Sequence, residues 1–277
     1  MDPVRPEFVP DAALDREAME ALQREVAAAA VFEDDFAFDP DRVRTTPPGL
    51  DDAASFGGEG GDDPGDPSPI VVGVDQAFLD ERAVSVVVAL RGGEVIERVH
   101  AVEPLEIPYI PGLLSFREGG PILAAFRNLS VEPDLALFDG SGRIHFRQAG
   151  LATHLGVILD LPSVGVAKSL LCGRPGDSVE GLAAGVQVPI YADEDVEAVG
   201  SHSADPDALI GHAVQTRQYD SPNRHVNPLY VSPGHRVSAS TAADLVLSLS
   251  AGYKLPEPTR LADADADEVK ADVRSRS

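Results

Sequence analysis

The pattern of apolar positions includes three Val- and Ile-rich segments that follow one another at residues 70–78, 83–91 and 94–103. Short runs rich in β-branched residues are typical of strands. The pair Gly92-Gly93 separates the second run from the third, and two glycines flanked by apolar runs indicate a tight hairpin turn. The pattern therefore predicts an antiparallel meander of three strands.

Segments of helical and strand character alternate after this meander. Residues 119–130 and 149–159 have the composition and spacing of helices, whereas 135–140 and 163–169 are short apolar runs typical of buried strands. Alternation of strand and helix favours parallel strands joined by crossover connections. We expect a mixed central α/β sheet flanked by helices.

The two ends of the chain differ in character from this core. Apolar positions at helical spacing predict an amphipathic helix over residues 12–32, and serine and threonine cap candidates introduce another over 238–253. Residues 33–69 are rich in Asp, Gly, Pro and Ser, a composition that favours a largely disordered acidic linker. The predicted organisation is an N-terminal helix packing on the core (1–32), the linker (33–69), a core domain (70–263) and an acidic C-terminal tail (264–277).

The charge of the chain is strongly negative, with 46 acidic and 22 basic residues and a formal net charge of −24. Of the basic residues only Lys168, Lys254 and Lys270 are lysines. An ordinary acidic cytosolic protein is the alternative, but the scarcity of lysine favours adaptation to concentrated salt, where self-repulsion is screened.

Several features of the sequence predict an intracellular protein. Cys172 is the single cysteine, which excludes an internal disulfide and a cysteine-based zinc cluster. The N-terminus lacks the pattern of a signal peptide, and no apolar run approaches the roughly 18 residues of a membrane helix. We expect a cytoplasmic protein with no membrane contact.

Three acidic residues are candidates for a metal site. Asp75 and Asp139 each follow a run of buried strand, and Glu118 stands at the predicted start of the helix between them. A buried carboxylate without a partner costs several kcal/mol. For each acid alone, a helix cap or an ion pair explains it about as well, but the three together favour a hard cation such as Mg²⁺, with Mn²⁺ as the alternative. Such a centre is typical of metal-assisted phosphodiester hydrolysis.

Two further residues are candidates for the same chemistry. Lys168 ends an apolar strand, where it could stabilise charge on a phosphorane or position the attacking water. His235 lies in a Pro-Gly turn, where it could be a metal ligand or a proton shuttle. A surface or salt-bridging role is the alternative for each. Residues 116–174 hold six basic and five acidic residues, so this region escapes the overall acidity, as a polyanionic substrate requires.

The segment PYIPGLLSFREGG at residues 108–120 places Tyr109 between two prolines. Prolines stiffen the backbone, so the ring should project at a set angle. Taken alone, this segment favours a loop whose tyrosine packs on the core.

The order of these motifs resembles that of the endonuclease V family, deoxyinosine-specific repair nucleases with a ribonuclease H-like fold. The similarity rests on GVD (73–75), PYIPGLLSFREGG (108–120), DLALFDGSGRIHFRQAGLATHLG (134–156), PSVGVAKSLLCG (162–173), NPLYVSPGHRVS (227–238) and LPEPTRLAD (255–263). Together with the acidic, lysine-poor composition, this resemblance favours a halophilic archaeon as the source.

The resemblance implies a role for each candidate. Asp75, Glu118 and Asp139 would form the metal site, with Lys168 and His235 as further catalytic residues. Tyr109 lies in the family's wedge motif, so its ring would push into the DNA strand and open access to a flipped base, at the expense of base stacking. The implied substrate contacts are Tyr109, Pro111, Gly112, Leu113, His145 and Arg147.

The implied activity is a magnesium-dependent nick at the second phosphodiester 3′ to deoxyinosine, leaving a 3′-hydroxyl and a 5′-phosphate. The expected partner is DNA containing deoxyinosine, bound by a monomer. Inosine-containing RNA is an alternative substrate, because only contacts to the 2′-hydroxyl distinguish the two. A non-catalytic lesion-binding protein is a further alternative, which the retained carboxylates disfavour.

Overall fold

The computed structural model describes residues 1–45, 68–221 and 223–276. Its helices are α1 (Arg16–Ala29), α2 (Leu114–Arg127), α3 (Leu151–Leu159), α4 (Ala239–Ser248) and α5 (Glu257–Ser275), with 3₁₀ turns at Pro6–Phe8 and Pro40–Arg42. Its strands are β1 (Ile70–Leu79), β2 (Arg82–Arg91), β3 (Glu94–Pro104), β4 (Leu135–Asp139), β5 (Ser163–Ala167), β6 (Arg174–Pro175), β7 (Gln187–Tyr191), β8 (Leu209–Val214) and β9 (Leu229–His235).

The strands form one mixed sheet in the order β3-β2-β1-β4-β5-β9-β8-β7-β6. Strands β1 to β3 pair antiparallel, and β1, β4 and β5 pair parallel. The remaining pairs, from β5–β9 to β6–β7, are antiparallel. The carboxyl ends of β1, β4 and β5 therefore meet at one edge of the sheet.

Helices cover both faces because the central strands are buried on both sides. In β1, Val72 and Val74 belong to the apolar cluster with α2 and α3, whereas Val71 packs in the cluster with α4. Helix α5 lies against β1 and β2 and contributes Ala262 and Ala266 to a third cluster. A parallel strand buried on both faces reads as a continuous apolar run, as the sequence of β1 does.

The predicted core elements are confirmed. The three strands of the meander differ from their predicted bounds by one residue at most, and Gly92 and Gly93 take φ of 58° and 87°, as the tight turn requires. Ser238 caps α4, since its side chain accepts a hydrogen bond from the Thr241 N–H. The mixed sheet flanked by helices agrees with the ribonuclease H-like fold expected from the sequence.

The start of α2 differs from its prediction. The helix begins at Leu114 rather than at residue 119, because Leu113 and Phe116 pack with Met19 of α1 and fold the preceding turn. Glu118 therefore lies inside the helix.

Part of the predicted linker is ordered. Residues 33–45 lie against the core: Asp34 accepts a hydrogen bond of 2.7 Å from the Ser238 N–H, and Val43 is buried beside α4. Composition carries no sign of these long-range contacts. The rest of the predicted linker, residues 46–67, lies outside the described residues.

The end of the chain also differs from its prediction. The predicted tail from residue 264 is helical, because α5 continues to Ser275 and buries Ala266 against the sheet. Strands β6 to β9, which extend the sheet beyond β5, were not predicted from the sequence. Within the described part of the chain, every helix is too short or too polar to cross a membrane.

Candidate active site

Two acidic residues lie side by side at the carboxyl edge of the sheet. Strands β1 and β4 pair in parallel with Val74 opposite Phe138, so Asp75 and Asp139 are the next residues on neighbouring strands. Neighbouring strands are about 4.8 Å apart. The parallel register therefore brings together the two carboxylates that the sequence placed at strand ends.

Burial and mutual repulsion disfavour the charged forms of these acids. Asp75 is 9 % exposed, and burial, followed by the negative charge of Asp139, raises its pKa well above the usual range. Glu118 projects from α2 and is buried too, which raises its pKa to about 7, with a smaller contribution from Asp139. All three predicted metal ligands thus share one electrostatic environment.

A fourth carboxylate in this cluster was missed from the sequence. Asp263 lies on α5, within hydrogen-bonding reach of Asp75, and one of its oxygens is 3.9 Å from the Lys168 ammonium. The available signal was the segment LPEPTRLADADA (255–266), where Ala262 and Ala266 are at helical spacing and indicate that the helix continues past Asp263. The predicted domain boundary at residue 263 concealed it.

Lys168 is brought to the cluster as predicted. Its Nζ donates a hydrogen bond of 2.9 Å to Asp139 Oδ2. Burial lowers the pKa of Lys168, but the hydrogen bond to Asp139 and the nearby negative charges outweigh this effect and raise the pKa overall. The lysine stays charged at neutral pH and remains half-exposed.

The donor chemistry of this acidic cluster (Asp75, Glu118, Asp139 and Asp263) fits a hard divalent cation, since it offers carboxylate oxygens and no thiolate. Burial is the main cause of the raised pKa values of Asp75 and Glu118, and the negative charge of Asp139 adds to both. Among the described residues, however, no three His, Cys, Asp or Glu side chains are already placed to hold a metal ion. Lys168 is the cation that contacts Asp139.

His235 is not brought to this cluster. It ends β9 opposite Ser163, the first residue of β5, whereas Lys168 follows the last residue of that strand. The imidazole is buried, accepts a hydrogen bond from the Val31 N–H at Nδ1, and lies 3.3 Å from Asp160 at Nε2. The antiparallel direction of β9 thus places this predicted catalytic residue at the opposite edge of the sheet.

The predicted wedge loop (residues 108–113) joins β3 to α2 and projects Tyr109 into solvent, with 65 % of the residue exposed. Pro111 is also exposed, whereas Gly112 and Leu113 are buried. Gly112 has φ of +79°, a backbone angle that favours glycine, and a Cβ there would in addition crowd the Phe146 ring at 3.2 Å. Tyr109 does not pack on the core.

Three buried side chains hold the carbonyl oxygen of Gly112. Gln23 Nε2 of α1 lies 2.9 Å from it, His145 Nε2 3.1 Å and Arg147 Nη2 3.2 Å. His145 Nδ1 accepts from the Arg147 N–H, so Nε2 carries the proton and donates. Burial, then the charge of Arg147, lowers the pKa of His145 to about 3, which keeps it neutral.

His145 and Arg147, predicted as substrate contacts, are both buried beneath the wedge loop. The residues are 3 % and 7 % exposed, and Arg147 also donates to Gln23 Oε1 over 2.8 Å. Their position shows that they brace the wedge loop from inside. Gln23 was missed because a glutamine among helix formers carries no sequence signal of a contact made 89 residues away.

The sequence and the fold of this chain are similar to those of known proteins. The family model for endonuclease V matches residues 61–264. The chain is 61 % identical to the endonuclease V of Haloarcula marismortui over 273 residues, which cover 98 % of each protein. The crystal structure of the catalytic domain of human endonuclease V superposes with a TM-score of 0.72 at 28 % identity, covering 95 % of this chain and 99 % of that one.

A more distant structure shares the fold. Endonuclease V of Ciona intestinalis, in complex with a 23mer DNA containing an inosine followed by a ribo-adenosine, superposes with a TM-score of 0.65 at 22 % identity, covering 94 % of this chain and 100 % of that one.

Proposed function

The chain belongs to the endonuclease V family of nucleases, and from this membership we propose that it is a metal-dependent repair endonuclease acting on DNA that contains deoxyinosine. The proposed cut is at the second phosphodiester 3′ to the lesion and leaves a 3′-hydroxyl and a 5′-phosphate. The observation that carries the proposal is the cluster of buried carboxylates around Lys168, in a fold whose loop 108–113 exposes a braced tyrosine.

Asp75, Asp139 and Glu118 would hold the metal ion, Mg²⁺ or alternatively Mn²⁺. A divalent cation bound there would polarise the scissile phosphate and lower the pKa of a water molecule. The raised pKa values of Asp75 and Glu118 support this assignment, because a nearby cation favours the ionised forms that burial disfavours.

Lys168 and Asp263 would act on the reacting groups beside the metal. The Lys168 ammonium is charged, half-exposed and 2.9 Å from Asp139, which suits it to stabilise negative charge that develops on the phosphorane. Asp263 lies near both Asp75 and Lys168 and would orient them. His235 has no part in this proposed chemistry.

Tyr109 would insert beside the lesion when the base leaves the stack. Unstacking costs a few kcal/mol per step, and a pre-positioned ring offsets part of that cost. The internal bracing of Gly112 by Gln23, His145 and Arg147 would hold the ring in place, since the loop then does not need to be ordered on binding.

Cleavage of matched labelled oligonucleotides tests the proposal. One strand carries a single deoxyinosine in DNA and the other a single inosine in RNA, each with Mg²⁺ or EDTA, at low and at multimolar KCl. We expect a metal-dependent nick one nucleotide beyond the DNA lesion. Preference for the RNA strand would identify a ribonuclease instead, and lesion binding without cleavage at any salt would exclude the enzyme.

Substitution tests the acidic cluster. Asp75→Asn and Asp139→Asn each remove a proposed metal ligand without changing side-chain size, so cleavage should be lost while DNA binding remains. Asp207→Asn is the matched control, because this exposed acid lies outside the cluster. Full cleavage by either cluster variant would show that the metal site is elsewhere.

A further inference from the structure

A group of positive charges lies beside the acidic cluster, on the side away from α2. It consists of Lys168, Lys254, Arg217 and Arg224, called here the cationic band. Two causes lower the pKa of Lys254: burial, which is the larger, and the positive charge of Lys168. The second cause shows that the two ammonium groups are close. Two of the three lysines in the chain are thus neighbours at one site.

Three members of the cationic band are not neutralised by an acidic partner among the described residues. Lys168 pairs with Asp139, but in the described part of the chain Lys254, Arg217 and Arg224 form no ion pair. The two arginines lie over the Tyr219 ring instead, with guanidinium carbons 4.9 and 4.2 Å from its centroid. In a chain with 46 acidic and 22 basic residues, such cations grouped at one place indicate an anionic ligand.

The loop that carries the arginines is braced from beneath. Gln215 is 1 % exposed and donates to the Arg217 and Val226 carbonyls over 2.6 and 2.9 Å. Gln218 accepts from the Val226 N–H and donates to the Leu182 carbonyl, each over 3.0 Å. These contacts fix the conformation of the connection between β8 and β9, so its cations are positioned before a ligand arrives.

A groove of about 980 Å³ starts at Lys168 and runs along this loop. Tyr219, Arg224, His225 and Tyr230 line it together with one acid, Glu180, and Lys168 in its lining contacts Asp139 of the acidic cluster. A channel that combines cations with aromatic rings suits a single nucleic-acid strand, whose phosphates and bases both find partners there.

We propose that the cationic band binds the phosphates of the cut strand on the 3′ side of the lesion. The inference rests on the proposed function, which sets the direction of the strand. Along the sheet, α2 packs on β2 and β3, the acidic cluster follows at β1 and β4, and the cationic band follows at β5, β9 and β8. A strand that enters at the wedge loop before α2 and is cut 3′ to the lesion therefore continues into the groove.

Binding measurements with strands of different length test this assignment. Labelled deoxyinosine oligonucleotides share one 5′ arm and carry 3′ arms that are short or long, and fluorescence anisotropy in EDTA follows their affinity over a range of KCl. For the long 3′ arm, Arg217→Gln combined with Arg224→Gln should reduce the slope of log K against log [KCl] by about 2, because each substitution removes one cation that binds a phosphate. With the short arm, the variant and the unmodified protein should have the same slope.

Arg91→Gln is the matched control, because it removes a positive charge from the exposed turn between β2 and β3 and should leave both slopes unchanged. Lys254→Gln provides a second, independent probe, with an expected reduction of about 1. Thermal unfolding of each variant verifies that the protein is folded.

An unchanged slope in the double variant, or an equal loss for a strand with only a long 5′ arm, would overturn the proposal. The cleavage assay separates this outcome from failure of the proposed function. If the unmodified protein cuts deoxyinosine DNA but the slopes do not change, the active-site proposal stands and the cationic band does not bind the 3′ arm. If it binds the long arm through the cationic band but never cuts, the proposed function fails on its own.

Discussion

Gly73 offers a sharp test of how the fold positions the active site. It lies on β1, two residues before Asp75, where the first turn of α5 crosses the strand. A Cβ at residue 73 would be 2.0 Å from the carbonyl carbon of Pro258, 2.1 Å from its oxygen and 2.5 Å from the Thr259 nitrogen. These are backbone atoms, so Gly73→Ala forces the helix itself to move.

The size of the effect follows from these distances. Carbon atoms pack at about 3.5 to 4 Å, so the start of α5 must retreat by roughly 1.5 Å. Overpacking of this kind costs typically about 1–3 kcal/mol, which lowers the Tm of a chain of this size by roughly 2 to 12 °C. Asp263 is five residues further along α5 and moves with it, and a displacement of about 1 Å at a reacting group can lower the rate on the order of 100-fold.

Thermal unfolding and cleavage of a deoxyinosine strand measure the two effects separately. Gly120→Ala is the matched control. Gly120 lies on α2, and a Cβ at this position would have no atom from outside this helix within 4 Å. Replacing a helical glycine by alanine should stabilise the protein by about 0.5–1 kcal/mol, with no loss of cleavage.

Two results would contradict this reasoning. An unchanged Tm for Gly73→Ala would mean that α5 does not press on β1 as the structure shows. A lowered Tm with full cleavage activity would mean that the position of α5, and hence of Asp263, does not matter to the reaction.

Three further predictions concern other parts of the site. Burial raises the pKa of Glu118 from 4.5 to about 7, so between these pH values the folded protein retains a proton that the unfolded chain releases. Without metal, the free energy of unfolding of the unmodified protein should therefore fall relative to that of Glu118→Gln as pH rises from about 4.5 to 7, by roughly 3 kcal/mol at most. A constant difference between the two proteins would disprove the shift. Tyr109→Ala and Gln23→Met should each lower the ratio of kcat/KM for deoxyinosine DNA to kcat/KM for undamaged DNA. The double variant should lose no more of this preference than Tyr109→Ala alone, because Gln23 acts through the wedge loop. Additive losses would show that it does not. His235→Gln should lower the free energy of unfolding by about 1–3 kcal/mol, because it disrupts the hydrogen bonds with Val31 and Asp160. The folded variant should cleave normally. A loss of activity at unchanged stability would show that His235 takes part in catalysis.

The sequence was most informative where local pattern and burial agree. The meander, the strand ends at Asp75 and Asp139, and the cap at Ser238 follow from composition and spacing over a few residues, because each element buries its own apolar side chains. Lys168 was identified by the same logic, since an apolar strand rarely ends on one of only three lysines.

The differences between the predicted and the observed positions have a common cause. His235 was placed with the acidic cluster from its Pro-Gly turn and again from the resemblance, but the antiparallel direction of β9 puts it at the far edge of the sheet. His145 and Arg147 were expected to face DNA and are instead buried beneath Gly112, with Gln23 from α1 as a third donor. In each case the partner comes from a distant part of the chain, and no local pattern encodes that contact.

The sequence by itself therefore determined the class of fold, the family and the residue types of the acidic site, because periodicity, turn residues and motif order are local properties. Only the tertiary structure decided which side chains meet. The packing of α5 on β1 adds Asp263 to the acidic cluster. The placement of the loop between β8 and β9 brings Arg224 and Tyr219 to the groove that Lys168 lines, with Arg217 over the Tyr219 ring. Strand direction and helix docking are set by the burial of whole faces, which depends on all the elements at once.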